Sequence, residues 1–181
     1  YCYSSSSPTL SNLVIEDNIA TSSGGGIYCS ASSPILSNVI IRNNTSTSTS
    51  SSYGGGGIYC SSSSPSLTNV TITENSAYRG GGIYCHGSSS QPVLENVTIA
   101  YNTATYSSGG GGIYTYQSAS PSLSNSIVWG NAPQQIYTNG GSVTAEYSDI
   151  QGGYAGTGNI DANPLFCDPH IGDYSIAAAS P

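Results

Sequence analysis

Few residues in this 181-residue sequence are of the types that carry acid–base chemistry: nine Asp and Glu, two Arg and two His. Glycoside hydrolysis needs two carboxylates placed on either side of one bond. Glu74 and Glu95 occur singly along the chain. Glu16 and Asp17 are adjacent, but neighbouring residues of a strand point to opposite faces. The sequence therefore predicts no catalytic residues.

Metal ligands are also sparse. The acids concentrate near the C-terminal end of the sequence, at Glu146, Asp149, Asp161, Asp168 and Asp173. Several such oxygens could hold a calcium ion, although the spacing of an EF-hand is absent. His86 and His170 lie far from any second His or Cys at ligand spacing, which disfavours zinc. We predict that the acids cap turns and that no cofactor is bound, with calcium as the alternative.

Charge and composition exclude two classes of partner. The formal net charge is −7 and the chain has no Lys, so no basic patch is available for phosphates, and we predict no nucleic-acid partner. Its two cations, Arg42 and Arg79, are expected to lie in solvent. No stretch approaches the roughly 20 apolar residues of a membrane span, so we predict no membrane insertion. Only 6% of residues are charged, and solubility must come from Ser, Thr, Asn and Gly.

A repeated pattern dominates the chain. Alignment on Pro8, Pro34, Pro65, Pro92 and Pro121 gives five copies of P-x-L-x-N-φ-x-φ-x-x-N, where φ is usually aliphatic. The first asparagine column of this pattern is Asn12, Asn38, Asn69, Asn96 and Asn125, and the second is Asn18, Asn44, Asn75, Asn102 and Asn131. A second motif, G-G-I-Y-C, occurs at 25–29, 56–60 and 81–85, with a variant at 111–115. Most of the variation in length lies between the second asparagine and the next Ile.

The repeat predicts an all-β, right-handed parallel β-helix of 26–31 residues per rung. Val39 and Ile41 share one face of a strand and Ile40 lies on the other. Each copy therefore supplies two or three short strands, which are too thinly apolar to form a core unless they stack on the next copy. We assign residues 1–131 to the repeats and 132–181 to C-terminal rungs or a closing segment of the same solenoid.

Stacking would turn equivalent residues into columns. Both asparagine columns are expected inside the bends, as ladders that hold the rungs in register. A cysteine column, Cys2, Cys29, Cys60 and Cys85, is expected to face inward, either as buried thiols or with one or two disulfides. Cys167 is left over and could pair between chains. A tyrosine column, Tyr1, Tyr28, Tyr59, Tyr84 and Tyr114, should face outward, either as a stripe for sugars or a neighbouring filament, or as rings that stabilise the sheet by stacking.

The segments GGGIYC and SSPSLTNVTI, with the paired asparagines, resemble the pectin-lyase-like β-helix repeats of bacterial surface and secreted proteins, including those related to chlamydial polymorphic outer-membrane proteins. The tail from Asn125 to Pro181 is similar to the closing part of such modules. The resemblance implies an extracellular or cell-surface protein with a structural or adhesive role. Its alternative is a polysaccharide-binding or polysaccharide-degrading enzyme, because lyases of this fold use Arg or Lys beside calcium. Neither end shows a recognisable cap, so we expect either head-to-tail association into filaments or a chain that forms part of a longer surface protein.

Glycosylation is a further expectation. Sequons occur at Asn43, Asn44, Asn69 and Asn96. The last three belong to the asparagine columns and are expected inside, which leaves Asn43 as the accessible one. The Ser/Thr-rich stretch 45–52, with Thr45, Thr47 and Thr49, is the expected carrier of O-linked glycans.

Overall fold

The structure, a computed structural model, describes residues 1–50 and 52–181, which coil into three parallel sheets. Sheet A contains Cys2–Tyr3, Ile27–Ser30, Ile58–Ser61, Ile83–His86, Ile113–Ala119 and Ile136–Gly141. Sheet B contains Thr9–Glu16, Ile35–Arg42, Ser66–Thr73, Val93–Glu95, Thr98–Ala100, Ser122–Ser124, Ile127–Trp129, Thr144–Glu146 and Asp149–Ile150. Sheet C contains Ile19–Ala20, Thr45–Ser46, Ser76–Ala77 and Thr103–Ala104.

Each strand pairs in parallel with the equivalent strand of the next rung, so the predicted parallel β-solenoid is confirmed. Cys29 pairs with Cys60 in sheet A, and Leu36 pairs with Leu67 in sheet B. Most rungs have the expected length, but Ser148 follows its partner Ser126 by only 22 residues. The last rung is shorter because four residues, instead of seven or more, connect its second asparagine to the next Ile of sheet A.

The core consists of columns of aliphatic side chains. Val39, Ile41 and their equivalents in the next two rungs are at most 1% exposed, whereas Ile40 is 38% exposed on the outer face. The alternation predicted from the sequence is therefore confirmed. Each fully buried aliphatic side chain stabilises the fold by roughly 1.5–3 kcal/mol. The side chains of one rung are fully buried only when the neighbouring rungs exclude water from both of its edges.

Glycine is required where the chain enters sheet A. A Cβ on Gly56 would lie 2.5 Å from the carbonyl oxygen of Ser76 and 2.6 Å from that of Gly81. Gly55, immediately before it, has a φ of +71°, which side chains disfavour. The run of glycines thus allows the backbones of successive rungs to come close at this corner.

Other corners of the rungs are made by single residues in the left-handed conformation. At the corner within sheet B, Asn38 and Asn69 have φ values of 53° and 54°. Both side chains are exposed, because the chain bends around them and turns the flanking residues, such as Leu36 and Val39, inward. The expectation that the first asparagine column lies inside is therefore wrong. Asparagine suits this position because it tolerates positive φ at small cost.

The C-terminal end of the coil is covered. Residues 151–162 lie over the last rung, where Tyr154 packs against the core and its hydroxyl donates to the carbonyl of Val143 at 3.2 Å. The amide of Asn159 donates to the carbonyl of Ala145 at 2.9 Å. The expectation of a C-terminal end without a cap is therefore wrong: the cap has no repeat pattern of its own and is recognisable only from these contacts.

The last segment folds back along the rod and adds no rung. Strands Phe166–Asp168 and Asp173–Ile176 form an antiparallel hairpin around a short 3-10 helix, Pro169–Ile171. The hairpin lies on the outer face of sheet B, where the hydroxyl of Tyr174 donates to a carboxylate oxygen of Glu74 at 2.6 Å. We refer to residues 166–176 as the C-terminal hairpin. Within the described residues, no helix is long and apolar enough to cross a membrane.

Candidate functional site

The second asparagine column forms a continuous hydrogen-bonded ladder. The backbone N–H of Asn75 and its side-chain Nδ2 both donate to Oδ1 of Asn102, at 3.0 and 2.9 Å. Nδ2 of Asn75 also donates to the carbonyl of Ile41 at 2.9 Å. Asn44 and Asn131 repeat this arrangement, whereas Asn18 in the first rung is exposed. Each buried amide thus bonds to the rungs on both sides.

Glutamines extend the ladder beyond the last copy of the repeat. Oε1 of Gln135 accepts from the backbone N–H and from Nδ2 of Asn131, at 3.1 and 2.8 Å. Nε2 of Gln135 then donates to Oε1 of Gln151 at 2.9 Å. Gln135 follows Asn131 by four residues in the sequence, and no repeat pattern marks it. Sequence reasoning missed this closure for that reason.

A column of buried serines forms a second ladder, which sequence reasoning also missed. The N–H of Ser32 donates to Oγ of Ser63 at 3.1 Å, and the N–H of Ser63 donates to Oγ of Ser90 at 3.4 Å. All three residues are at most 3% exposed. Each stands two residues before an aligned proline, a regularity that the sequence does contain. These serines satisfy backbone donors at the corner between sheets A and B.

The first asparagine column makes only long contacts on the surface. Nδ2 of Asn38 lies 3.4 Å from Oδ1 of Asn12, and Nδ2 of Asn69 lies 3.3 Å from Oδ1 of Asn38. Asn96 and Asn125 of this column are also exposed. The sequons at Asn69 and Asn96 are therefore accessible, contrary to the expectation from sequence.

The other proposed glycosylation positions lie on or beside sheet C. Asn43, Thr47 and Thr49 are exposed, Thr45 is half-buried, and Asn44 is buried in the ladder. Thr47 Oγ1 donates to the carbonyl of Ala20 at 3.3 Å. Residue 51 of the Ser/Thr-rich stretch lies outside the described residues.

The cysteine column lies inside the coil as neighbouring thiols. Cys2, Cys29, Cys60 and Cys85 are buried and unpaired, and Thr115 occupies the equivalent place in the next rung. The contact with the thiol of Cys60, together with burial, raises the pKa of Cys29. Cys167 is exposed on the C-terminal hairpin. Of the two alternatives left open by the sequence, the structure contains the buried thiols.

The tyrosine column faces outward but is largely covered. Tyr59, Tyr84 and Tyr114 are at most 5% exposed, Tyr28 is half-buried, and Tyr1 is 87% exposed. Of the two alternatives left open by the sequence, the central tyrosines are rings that pack on one another against the sheet, and they do not form an exposed stripe. The variable loops fold over sheet A, so that Gly54 packs directly on the ring of Tyr84. Burial raises the pKa of Tyr59 to about 12.

Arg79 is one of the residues that cover the tyrosine column. Its guanidinium carbon lies 4.7 Å from the ring centre of Tyr106, 5.4 Å from that of Tyr114 and 5.5 Å from that of Tyr78. The side chain is half-buried, so the expectation of a solvated arginine is wrong here. A guanidinium stacks favourably on aromatic rings, and the variable loop places it there.

An aromatic face remains accessible beside the covered rings. It comprises four half-buried rings and two exposed amides, with the hydroxyl of Tyr59 beside His86 and that of Tyr114 beside Asn139: Tyr28, Tyr137, His86, Tyr116, Gln117 and Asn139. The ring of His86 stacks on Tyr116, with centroids 5.5 Å apart and an interplanar angle of 14°. Nε2 of His86 lies 2.9 Å from Oε1 of Gln117, and Nδ2 of Asn139 donates to the hydroxyl of Tyr114 at 3.0 Å. The face thus combines flat rings with fixed polar groups.

Several charged residues each make a separate ion pair or hydrogen bond. Arg42 pairs with Glu16 across one rung, with 2.6 Å between guanidinium nitrogen and carboxylate oxygen, so it is more than a solvated cation. Asp168 caps the 3-10 helix by accepting from the N–H of His170, and Asp173 accepts from Ser175. Among the described residues, no three His, Cys, Asp or Glu side chains are grouped as metal ligands are.

Two further tail acids hold the cap in place. Oδ1 of Asp149 accepts from the N–H of Ala162 at 3.1 Å, and Oδ1 of Asp161 accepts from the N–H of Gly152 at 3.1 Å. Burial raises the pKa of Asp149. Glu146 is exposed.

Comparison with known proteins supports the same architecture. The family model described as a right-handed β-helix region matches residues 1–150. Neither the curated proteins nor the solved structures gave a match. The matched range includes the six rungs of the coil and excludes the C-terminal hairpin.

We expect Asn75→Ala to lower the free energy of unfolding by about 3 kcal/mol or more, because the substitution leaves buried amides of neighbouring rungs without partners. Urea unfolding followed by circular dichroism measures this change. Asn69→Gly is the matched control: it removes an exposed asparagine at a left-handed corner and should cost less than about 1 kcal/mol. Equal losses in the two variants would contradict a structural role for the second column.

Stability should fall in alkaline solution. The raised pKa values mean that the folded chain keeps thiol and phenol protons that the unfolded chain releases above about pH 9. These thiols and phenols therefore leave the unfolding free energy unchanged below this pH, and above it each should lower the unfolding free energy by up to about 1.4 kcal/mol per pH unit. Urea titrations between about pH 8 and 11 measure the slope. Cys29→Ser should make the dependence of the unfolding free energy on pH shallower. An unfolding free energy of the unmodified chain that does not change over this pH range would contradict the raised pKa values.

Proposed function

The chain belongs to the right-handed β-helix family, and from this we propose that it is an extracellular or cell-surface solenoid with an adhesive role, which binds neutral polysaccharide along its aromatic face. The coil supplies the rigid support and the face supplies the contacts. The low charge content and the polar Ser/Thr-rich surface are compatible with this location.

The observation that carries the proposal is the stack of His86 on Tyr116 between two amide side chains. Sugar rings present apolar C–H faces that pack on aromatic rings, and hydroxyls that bond to amides and imidazoles. Gln117 and Asn139 are exposed beside the rings and offer such groups. His86 and Tyr116 lie on neighbouring rungs with ring centroids 5.5 Å apart, so the accessible contact extends along the rod axis over two rungs.

A neutral polysaccharide suits this face better than an acidic one. The net charge of −7 repels polyanions at long range. Arg79, the cation nearest to the tyrosine column, is half-buried over three tyrosine rings. Polysaccharide degradation remains the alternative function, and it would require a reacting pair of side chains on or near the bound chain.

Self-association along the rod axis is a separate part of the proposal. In the first rung the core-facing Leu13 is 41% exposed, whereas its partner Val39 in the next rung is 1% exposed. Because residues 151–162 cover the opposite end, head-to-tail growth would require this segment to move.

We expect the protein to sediment with insoluble neutral glucans and more weakly with pectate at equal ionic strength. Tyr116→Ala should weaken neutral-glucan binding between about twofold and tenfold, since an aromatic contact contributes roughly 0.5–1.5 kcal/mol. Tyr147→Asn is the matched control, because Tyr147 is 61% exposed at a corner away from this face. Unchanged binding by Tyr116→Ala would contradict the assigned face. Release of soluble oligosaccharides would contradict the non-catalytic role.

Sedimentation velocity over a concentration series tests self-association. Species that grow without limit as concentration rises are expected for a filament. A monomer at all concentrations would contradict this part of the proposal and leave the polysaccharide result unaffected.

A further inference from the structure

The C-terminal hairpin and sheet B enclose a cleft of about 350 Å³. Its lining residues are Glu74, Tyr101, Pro169, His170 and Tyr174. This volume lies within the range of small-molecule sites, roughly 300–1,000 Å³. The cleft is on a different sheet from the aromatic face, and the polysaccharide proposal does not use it.

Aromatic rings form the walls. The centroid of Tyr101 lies 6.0 Å from that of Tyr174 and 6.4 Å from that of Phe166. Phe166 meets Tyr174 edge to face at 5.4 Å, which fixes the orientation of the second wall. Tyr101 remains 40% exposed, so part of its ring is available to a ligand.

A single carboxylate completes the cleft. Oε1 of Glu74 accepts from the hydroxyl of Tyr174 at 2.6 Å, and this bond joins the hairpin to the coil across 100 residues of sequence. A carboxylate has a second oxygen and further lone pairs with which to attract a cation. The nearest arginine along this face, Arg42, is paired with Glu16.

Glu74 and Tyr101 have backbone conformations that favour other residue types. Glu74 and Tyr101 have φ values of 58° and 55°, in the left-handed region that side chains other than Asn, Asp and Gly seldom adopt. The equivalent positions of neighbouring rungs are Asn43 and Gly130, which suit that conformation. The two residues that depart from this preference are thus the ones that line the cleft.

We propose that the cleft between the C-terminal hairpin and sheet B binds a small organic ammonium ion. Ring faces carry negative electrostatic potential and attract ammonium groups, and a carboxylate at the same site adds a charge of the opposite sign. The bound group would lie in the cleft against the exposed part of the Tyr101 ring, with the carboxylate of Glu74 beside its positive charge.

The test is a titration with choline chloride at about pH 8, where imidazoles are largely neutral. Backbone amide signals of residues 73–75, 100–102 and 169–174 are followed by two-dimensional NMR. We expect saturable shifts confined to these segments. The uncharged carbon isostere of choline and sodium chloride at equal ionic strength should give none. Equal shifts with the isostere, or shifts with glucose instead of choline, would overturn the ligand class, and the absence of any saturable shift would overturn the site.

Two variants separate the charge of Glu74 from its structural role. Glu74→Gln removes the charge but keeps an oxygen that can accept from Tyr174, so the hairpin should stay in place while choline affinity falls at least tenfold. Asp17→Asn is the matched control, because it removes one carboxylate at the equivalent corner of the first rung, outside the cleft. It should bind choline as the unmodified chain does. Equal affinities in both variants would overturn the proposal.

Discussion

Register between rungs is held by buried side-chain amides that bond to the backbone of the neighbouring rung. Asn75 accepts a bond from the N–H of Asn44 and donates to the carbonyl of Ile41. At this bend the backbone has polar groups that no strand partner reaches, and an unpaired buried group costs about 1–3 kcal/mol. One rung therefore satisfies the polar groups of another, and a shift of register by a single residue would break all of these bonds together. With the register fixed in this way, the aliphatic side chains of successive rungs pack in a single arrangement.

This constraint determines where the chain can vary. Between the aligned proline and the second asparagine every residue faces either the core or a fixed corner, so this stretch keeps one length. Apart from Gln135 at the end of the coil, the segment between the second asparagine and the next Ile carries no residue of the asparagine ladder, and its length differs from rung to rung. These segments fold over sheet A, where Arg79 stacks over the tyrosine rings. Variation is thus directed to one side of the coil, and the surface on that side differs at each rung.

The repeat was enough to predict which residues lie in the interior of the coil, but it did not predict the structure of the exterior. Alternation along one strand is enough to place Ile41 inside and Ile40 outside, and five copies place the cysteines in one column. The burial of Tyr84 depends on loops whose sequences do not repeat, so their conformation could not be inferred from the pattern. The bond between Tyr174 and Glu74 joins residues 100 positions apart, and no periodicity relates them. The first asparagine column was misplaced because tolerance of positive φ indicates a bend but not which side of it the side chain occupies.

Departures from the repeat therefore carry more functional information than the repeat itself. A position that must only bend the chain is served by Asn or Gly, as at Asn43 and Gly130. Glu74 and Tyr101 occupy the same corner at a conformational cost, and both line the cleft beneath the hairpin. On sheet A, one outward-facing column contains serine in two early rungs, at Ser30 and Ser61, and a stacked pair of rings in the next two, at His86 and Tyr116. In a coil whose interior is so uniform, side chains that no ladder or core requires are the ones available for binding, and these two groups are the clearest examples.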